Sequence, residues 1–525
     1  LLTRQKSLFV FIIYNVTIQI KKRIIASQAL PKYTMTPIKI TKKHVCWSLV
    51  LTGILFRLAR YLSNPAMNID ESNYAFMLNW LSLKDILLEK KFIYPAPPGF
   101  IAIQKLAATF FSNNEYVLRF VPFLSSIGAL LLLNKIKNYF SKSTGGILAL
   151  ALLVACPSAI YFSCLDKAYS SDVLVALGLC WLGLKVHASP LGYRSMILLV
   201  LSAAVAIWLS FPAIFILGGL FLALLWEYIQ KKDLRNLKRL LLIGIPGSLI
   251  SIFFYFSLVQ RPPASSPLYQ FWFKGNNALI YNSASFLSYI KWGVSFFYNM
   301  FRNVAGIDLP LLGIFFFVLG CYAVYSMNKF KCLLLALPIF LATLATIFQK
   351  YPARGKLILF LIPSLFLMIG VGWEFLYNQE KRILKNGSIS WFLLILLLFH
   401  PYQTTIVRHT HNKENSGYQQ VLWHVKNHLK KDDGVGIYYM ASTPFEFYKD
   451  EIDFPDSTPC LTLRPDKIKK NIEQLSLYKR VWIIFKDNND YSKDKQWILY
   501  HFNQKARQMR SFHVRGGSCY LYEFP

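Results

Sequence analysis

The chain has 525 residues and a formal net charge of +32, and 54% of it is hydrophobic and 16% aromatic against only 16% charged. Repeated apolar runs long enough to cross a bilayer exclude a soluble globular enzyme, a disordered chain and a small secreted disulfide scaffold. Eight cysteines without a CxxC pair argue against a zinc or iron–sulfur protein.

The charge is unevenly spread. Residues 402–525 hold 19 Lys/Arg and 14 Asp/Glu, whereas the preceding 401 residues hold 39 and 12. In that first part the basic residues sit in short clusters between apolar runs. They read as topology signals and contacts with anionic lipid, and not as a nucleic-acid surface.

In chain order, the first methionine is Met35, and residues 1–34 read as sequence upstream of a start there. The run 7–20 is too short, and too polar at Asn15, Thr17 and Gln19, to span a membrane. Residues 1–44 are therefore taken as an N-terminal cytoplasmic segment. Eleven spans follow at 45–62, 117–133, 145–164, 169–186, 196–210, 212–229, 240–258, 309–327, 332–348, 357–377 and 389–400. With this assignment every basic cluster falls on one side, the strongest being Lys231, Lys232, Arg235, Lys238 and Arg239. That side is the cytoplasm, with the N-terminus inside and long outer loops at 63–116 and 259–308. The apolar stretch 99–111 carries Gln104 and Lys105 and has about a dozen residues, so it is read, with a helical stretch 71–90, as lying on the outer membrane surface. Residues 45–401 thus form a transmembrane domain.

Residues 402–525 change character. A helical stripe covers 418–431, short β-rich runs lie at 436–440, 481–485 and 518–522, and 494–507 looks helical, which describes a small extracytoplasmic α/β domain. Cys460 and Cys519 both fall there, where a disulfide could form. His424 and His428 are four apart without a metalloprotease glutamate, and His409 and His411 lie beside the membrane; all four read as solvated. Trp272 reads as packing on the membrane surface. No Gly-rich phosphate loop supports ATP or a nucleotide sugar.

Eight of the twelve acids in the membrane portion lie on the outer side of this topology: Asp70, Glu71, Asp85, Glu89, Glu115, Asp166, Asp172 and Asp308. Carboxylates at a membrane are costly enough for their placement to hint at function. On a structural reading, Asp70 is a helix N-cap and Glu71 a first-turn acid. The ordered set Arg57, Asp70-Glu71, Pro97-Pro98, Leu118-Arg119, Lys167, Tyr169 and Asp172, with Tyr351-Pro352, Arg354-Gly355-Lys356, Phe360 and Pro363 later, resembles the membrane glycosyltransferases of the GT-C class. Within it the likeness is to glycosyltransferase family 39, protein mannosyltransferases, lipid A aminoarabinose transferases and RgtA/B/C/D-like enzymes, over roughly residues 45–400. Ala96 stands where the aminoarabinose transferases carry a lysine, which counts against an aminoarabinose donor.

The resemblance implies a GT-C fold in the plasma or inner membrane and sugar transfer from a polyprenyl-phosphate donor to a lipid, polysaccharide or protein acceptor. Such a reaction deprotonates an acceptor hydroxyl and stabilises a departing phosphate. A carboxylate suits the first task, assigned to Asp70 with Glu71 positioning it or the acceptor. Cations and hydrogen-bond donors suit the second, assigned to Lys167, Arg354, Lys356 and Tyr169, with Asp172 grouped with them at the donor site. Inversion at the sugar carbon is implied by the resemblance alone. A divalent metal ion at the outer carboxylates stays open. A transporter or flippase of lipid-linked saccharides is the alternative, although inverted repeats and polar residues at the bilayer midplane would suit it better. An oligosaccharide polymerase or ligase centred on a late outer loop is a third.

Overall fold

The computed structural model describes residues 41–89, 96–189, 191–258, 286–348, 350–410, 417–487 and 492–525. The expectations for 1–34 and Trp272 lie outside these residues, as do the side chains of His409 and His411. Ser48–Pro525 form one compact unit, and everything below concerns it and the described residues just before it.

The protein is a polytopic α-helical membrane protein with a small mixed-sheet domain at its C-terminal end. All eleven expected spans are helices. They are α1 (Lys42–Ser63), α4 (Glu115–Phe140), the pair α5 (Thr144–Ala155) and α6 (Pro157–Tyr161), α7 (Tyr169–His187), α8 (Tyr193–Leu209), α9 (Ala213–Gln230), α10 (Leu234–Leu258), α12 (Pro310–Met327), α13 (Lys329–Ile347), α14 (Ile362–Leu384) and α15 (Ser388–Thr410). Among the described residues, eight helical stretches are long and apolar enough to cross a membrane, and the α5–α6 pair, bent by 51°, makes a ninth. The bend sits at Pro157, whose ring cannot continue the ladder of α5. The remaining two are α8 and α10. Helix α15 runs through Pro401 to Thr410, so the chain leaves the last span as a continuous helix. Helix α11 (Phe286–Asn299) lies between α10 and α12. Helices α12 and α14 pack with backbones almost touching. A Cβ on Gly320 or Gly372 would lie 1.9 Å from a carbonyl oxygen of the facing helix, so only glycine fits either place.

After the first span, α1 stops at Asn64, whose φ of 34° takes the left-handed conformation that asparagine tolerates. Helix α2 (Ile69–Trp80) follows. Its N-cap is Asn68, with Glu71 completing a capping box, so Asp70 is a first-turn residue and not the cap. The expected helix 71–90 is broken after Trp80. Leu81 is extended, and Ser82 and Asp85 cap a new turn by exchanging side-chain and backbone bonds (2.8 and 3.2 Å). Helix α3 (Pro98–Phe110) begins where Pro98 occupies N1, a place that needs no N–H.

The C-terminal domain contains α16 (Gly417–His428), α17 (Tyr439–Tyr448), α18 (Ile468–Leu475) and α19 (Ser492–Asn503). Its strands are β1 (Asp433–Tyr438), β2 (Cys460–Leu463), β3 (Arg480–Phe485), β4 (Arg507–Val514) and β5 (Gly517–Glu523), in the order β2-β1-β3-β5-β4. Strands β1, β2 and β3 are parallel; β5 joins β3 and β4 antiparallel. The helix expected at 494–507 therefore ends at Asn503, and Arg507 opens a strand. The disulfide expected between Cys460 and Cys519 is overturned. Cys460 is on β2 and Cys519 on β5, with β1 and β3 between them, about 14 Å apart at the usual strand spacing. That is twice the reach of the bond.

One apolar core runs from this sheet through α17 into the segment between α1 and α4, and includes Met67, Leu78, Phe100 and Leu118. Each such side chain contributes roughly 1.5–3 kcal/mol on full burial. This shared core fixes α2 and α3 against the domain.

Candidate functional site

Asp70 and Glu71 leave the first turn of α2 in different directions. Glu71 is buried. It forms a two-pronged ion pair with Arg119 of α4 (2.9 and 3.0 Å) and accepts the Asn68 amide (3.1 Å) and the Asp166 amide (3.0 Å). Arg119 uses its remaining donors on the Asn64 side chain (2.8 Å) and the Pro65 carbonyl (2.7 Å). With every lone pair so engaged, Glu71 braces the loop that carries Asp70.

The Asp70 carboxylate is open, its side chain 48% exposed, and it is ion-paired with Lys356. Lys167 acts on it from the other side. Burial alone would raise the Asp70 carboxyl, but the Lys167 and Lys356 ammonium groups outweigh it and hold it below the ordinary carboxylate range. Lys356 comes from the loop after α13. Gly355, with a φ of 51°, opens a 3₁₀ turn, Gly355–Leu361, in a conformation that favours glycine. That turn presents Lys356 to Asp70, with Arg354 on its other side. Arg354 is half-buried, and its guanidinium makes no hydrogen bond or ion pair among the described residues.

Lys167 is buried, with its Nζ 3.3 Å from the centre of the Tyr74 ring, a cation–π contact. Its ammonium is pushed down by burial, against the pull of Asp70. Asp166 is fully buried; its carboxyl is pushed up by burial and by Glu71. It accepts from the Gln104 amide of α3, whose nitrogen also donates to the Leu118 carbonyl (2.5 Å). Tyr169 is half-buried, 5.7 Å from the Lys356 ammonium, with its ring edge-on to Phe162. Asp172 is buried one turn into α7, and one of its carboxylate oxygens has no hydrogen-bond partner.

The expected residues Asp70, Lys167, Tyr169 and Lys356 thus stand together, with Arg354 beside Lys356 in the chain and Asp172 one turn beyond Tyr169. Four further residues were not expected. Tyr74 lies one turn after Asp70 on α2, and that spacing was its signal. Gln104, with Lys105, interrupts a mostly apolar helix, and the polarity that argues against a span is also its signal. Tyr448 and Lys486 come from the C-terminal domain and bond to Met67, and nothing in the sequence marks them. Burial pushes the Lys486 ammonium down to about 7.

Among the described residues, no group of three or more His, Cys, Asp or Glu is placed to hold a metal ion. Around Asp70 the neighbouring charges are ammonium groups, a donor set that suits an anion and does not fit a divalent cation. Chemically, the arrangement offers an ionised carboxylate next to cations that can take up a phosphate.

No protein-family model matches the chain, and no curated protein is significantly similar to it. In structure it is similar to ArnT from Cupriavidus metallidurans in the apo state, with a TM-score of 0.51 and 12% identity over 90% of this chain and 98% of that one. The same protein bound to undecaprenyl phosphate gives 0.50 and 13%, over 90% and 97%. The Archaeoglobus fulgidus oligosaccharyltransferase tethered to an acceptor peptide containing the NVT sequon gives 0.50 and 12%, over 91% and 74%. The chain shares its fold with these proteins over nine-tenths of its length.

Proposed function

We propose that this protein transfers a sugar from a polyprenyl-phosphate donor to an acceptor hydroxyl on the non-cytoplasmic face of the plasma or inner membrane. The observation that carries the reading is the open Asp70 carboxylate held between Lys356 and Lys167. Without substrate, Lys356 is neutralised by Asp70. A bound donor phosphate competes for that ammonium, together with Arg354 and Lys167, and the basicity of Asp70 rises as its partner is shared. Asp70 then takes the proton of the acceptor hydroxyl. The acceptor oxygen bonds to the anomeric carbon, the bond from that carbon to the phosphate oxygen breaks, and the electron pair leaves on the phosphate. A single displacement inverts the anomeric centre. Tyr169 donates to phosphate or sugar, and Asp172 accepts from the donor. The resemblance to ArnT bound to undecaprenyl phosphate supports this donor class.

The test is sugar transfer in proteoliposomes from a panel of synthetic polyprenyl-phosphate sugars. Loss of a general base costs about 10²–10⁴-fold in rate, so Asp70→Asn should lose at least a hundredfold while Asp70→Glu retains part. Unchanged transfer by Asp70→Asn removes Asp70 from the chemistry. A wild-type protein that only carries the lipid-linked sugar across the bilayer is a transporter.

A further inference from the structure

Beside the shared apolar core, the C-terminal domain holds the backbone of one residue just ahead of the site. Met67 is fully buried and immediately precedes Asn68, the cap of α2. Its N–H donates to the Tyr448 hydroxyl (2.8 Å), and its carbonyl accepts from the Lys486 ammonium. The Tyr448 hydroxyl in turn donates to Glu115 at the start of α4 (2.7 Å). Lys486 is the first residue beyond β3, at the carboxyl end of the parallel strands, where open α/β sheets place their ligands. There it holds a loop of its own chain. It is buried, with no carboxylate partner for its charge among the described residues; the Met67 carbonyl takes its hydrogen bond and the Tyr418 ring lies 5.4 Å away. Burying a lysine there is costly whether it keeps its charge or gives it up, and a structural tie alone would be met more cheaply by an apolar contact. From the opposite side, Arg119 holds Asn64 and Pro65 of the same loop.

We propose that Lys486 and Tyr448 are positioning residues for Asp70: by gripping both polar groups of Met67 they set where α2 begins, and so where its open carboxylate stands relative to Lys356 and Lys167. The catalytic part of this inference rests on the transfer reading above; the grip itself does not. Asp70 is three residues beyond the gripped peptide, so a slip there carries directly to the carboxylate. A misplacement of about 1 Å costs on the order of a hundredfold in rate.

The test uses the full chain in nanodiscs with Lys486→Met, which keeps the apolar stem, and Tyr448→Phe, which keeps the ring. Two readouts are taken: hydrogen exchange of residues 64–80 and the kcat and KM of transfer. The expected result is exchange about tenfold faster over 64–80 with the β3 and β5 amides unchanged, and a kcat lowered about 10–100-fold with both KM values nearly constant. Lys486→Arg, which restores a donor, should recover part of kcat. Exchange at the wild-type rate in both variants overturns the grip. Faster exchange with wild-type kcat overturns its role in positioning. If Lys486→Met unfolds the domain, Tyr448→Phe decides. If the wild-type chain transfers no sugar, the transfer reading falls, and the exchange measurement alone decides the grip.

Discussion

Asp70 and Glu71 are neighbours in the chain and opposites in circumstance. Glu71 has spent its charge on Arg119, inside the protein, and Glu71→Gln leaves that guanidinium buried and unpaired. The expected cost is about 3–5 kcal/mol, read as a large drop in melting temperature in detergent, and partly recovered in Glu71→Gln/Arg119→Met. If Glu71→Gln melts like the wild type, the ion pair is not the brace it is taken for. Asp70 instead faces outward, and its ionisation is governed by its cations. Since Lys167 and Lys356 hold it below the ordinary range, the acid limb of kcat/KM should lie below about 3.9. Lys356→Met removes one of the groups favouring the carboxylate, so the limb should move to higher pH. A limb that stays in place, or moves the other way, separates Asp70 from the titrating base.

At the scale of the element, the two turns that deliver the site depend on local chemistry. Gly355→Ala puts a Cβ on a residue at φ 51°, at about 1–2 kcal/mol, and displaces the flanking Arg354 and Lys356. Donor KM should rise several-fold with little change in melting temperature; unchanged donor affinity would show that the turn is not needed to present them. Lys167→Ala and Arg354→Ala should likewise weaken use of the lipid phosphate. In the sheet, Cys460 on the edge strand is exposed and Cys519 on β5 is buried. Both should stay thiols under non-reducing conditions, with Cys460 labelling in the native protein and Cys519 after denaturation. Recovery of a Cys460–Cys519 crosslink would contradict the strand order. The reason this pairing misled is physical: cysteine positions record compartment, but not which strands lie between. By contrast the apolar spans and the Pro97-Pro98 helix start were legible, because span length and ring geometry each act locally, whereas Asp70 and Lys356 were placed in one site only through the resemblance and their pairing was not foreseen. The break after Trp80 was not, since Ser82 and Asp85 compete with a helix that propensity alone would continue.

For the whole molecule, a reporter fused after Arg239 should be cytoplasmic and one after Pro525 outside. The reverse at Arg239 would mean that α3 crosses the membrane. Tyr448 and Lys486 could not be read from sequence, because their importance lies in a contact across most of the chain. Lys486 and Met67 are separated by 419 positions, and Lys356 and Asp70 by 286. This spacing has a consequence for biogenesis. A ribosome-bound chain inserts its spans in order, and when Asp70 emerges neither its cation nor its support has been made. The acid gains Lys356 only once residue 356 has been made, and the loop before it is gripped only once Tyr448 and Lys486 have been made and folded. A chain halted between those points would therefore hold its apolar helices while α2 still lacks its setting, so that the order of synthesis delays the placement of Asp70 behind the making of the membrane portion.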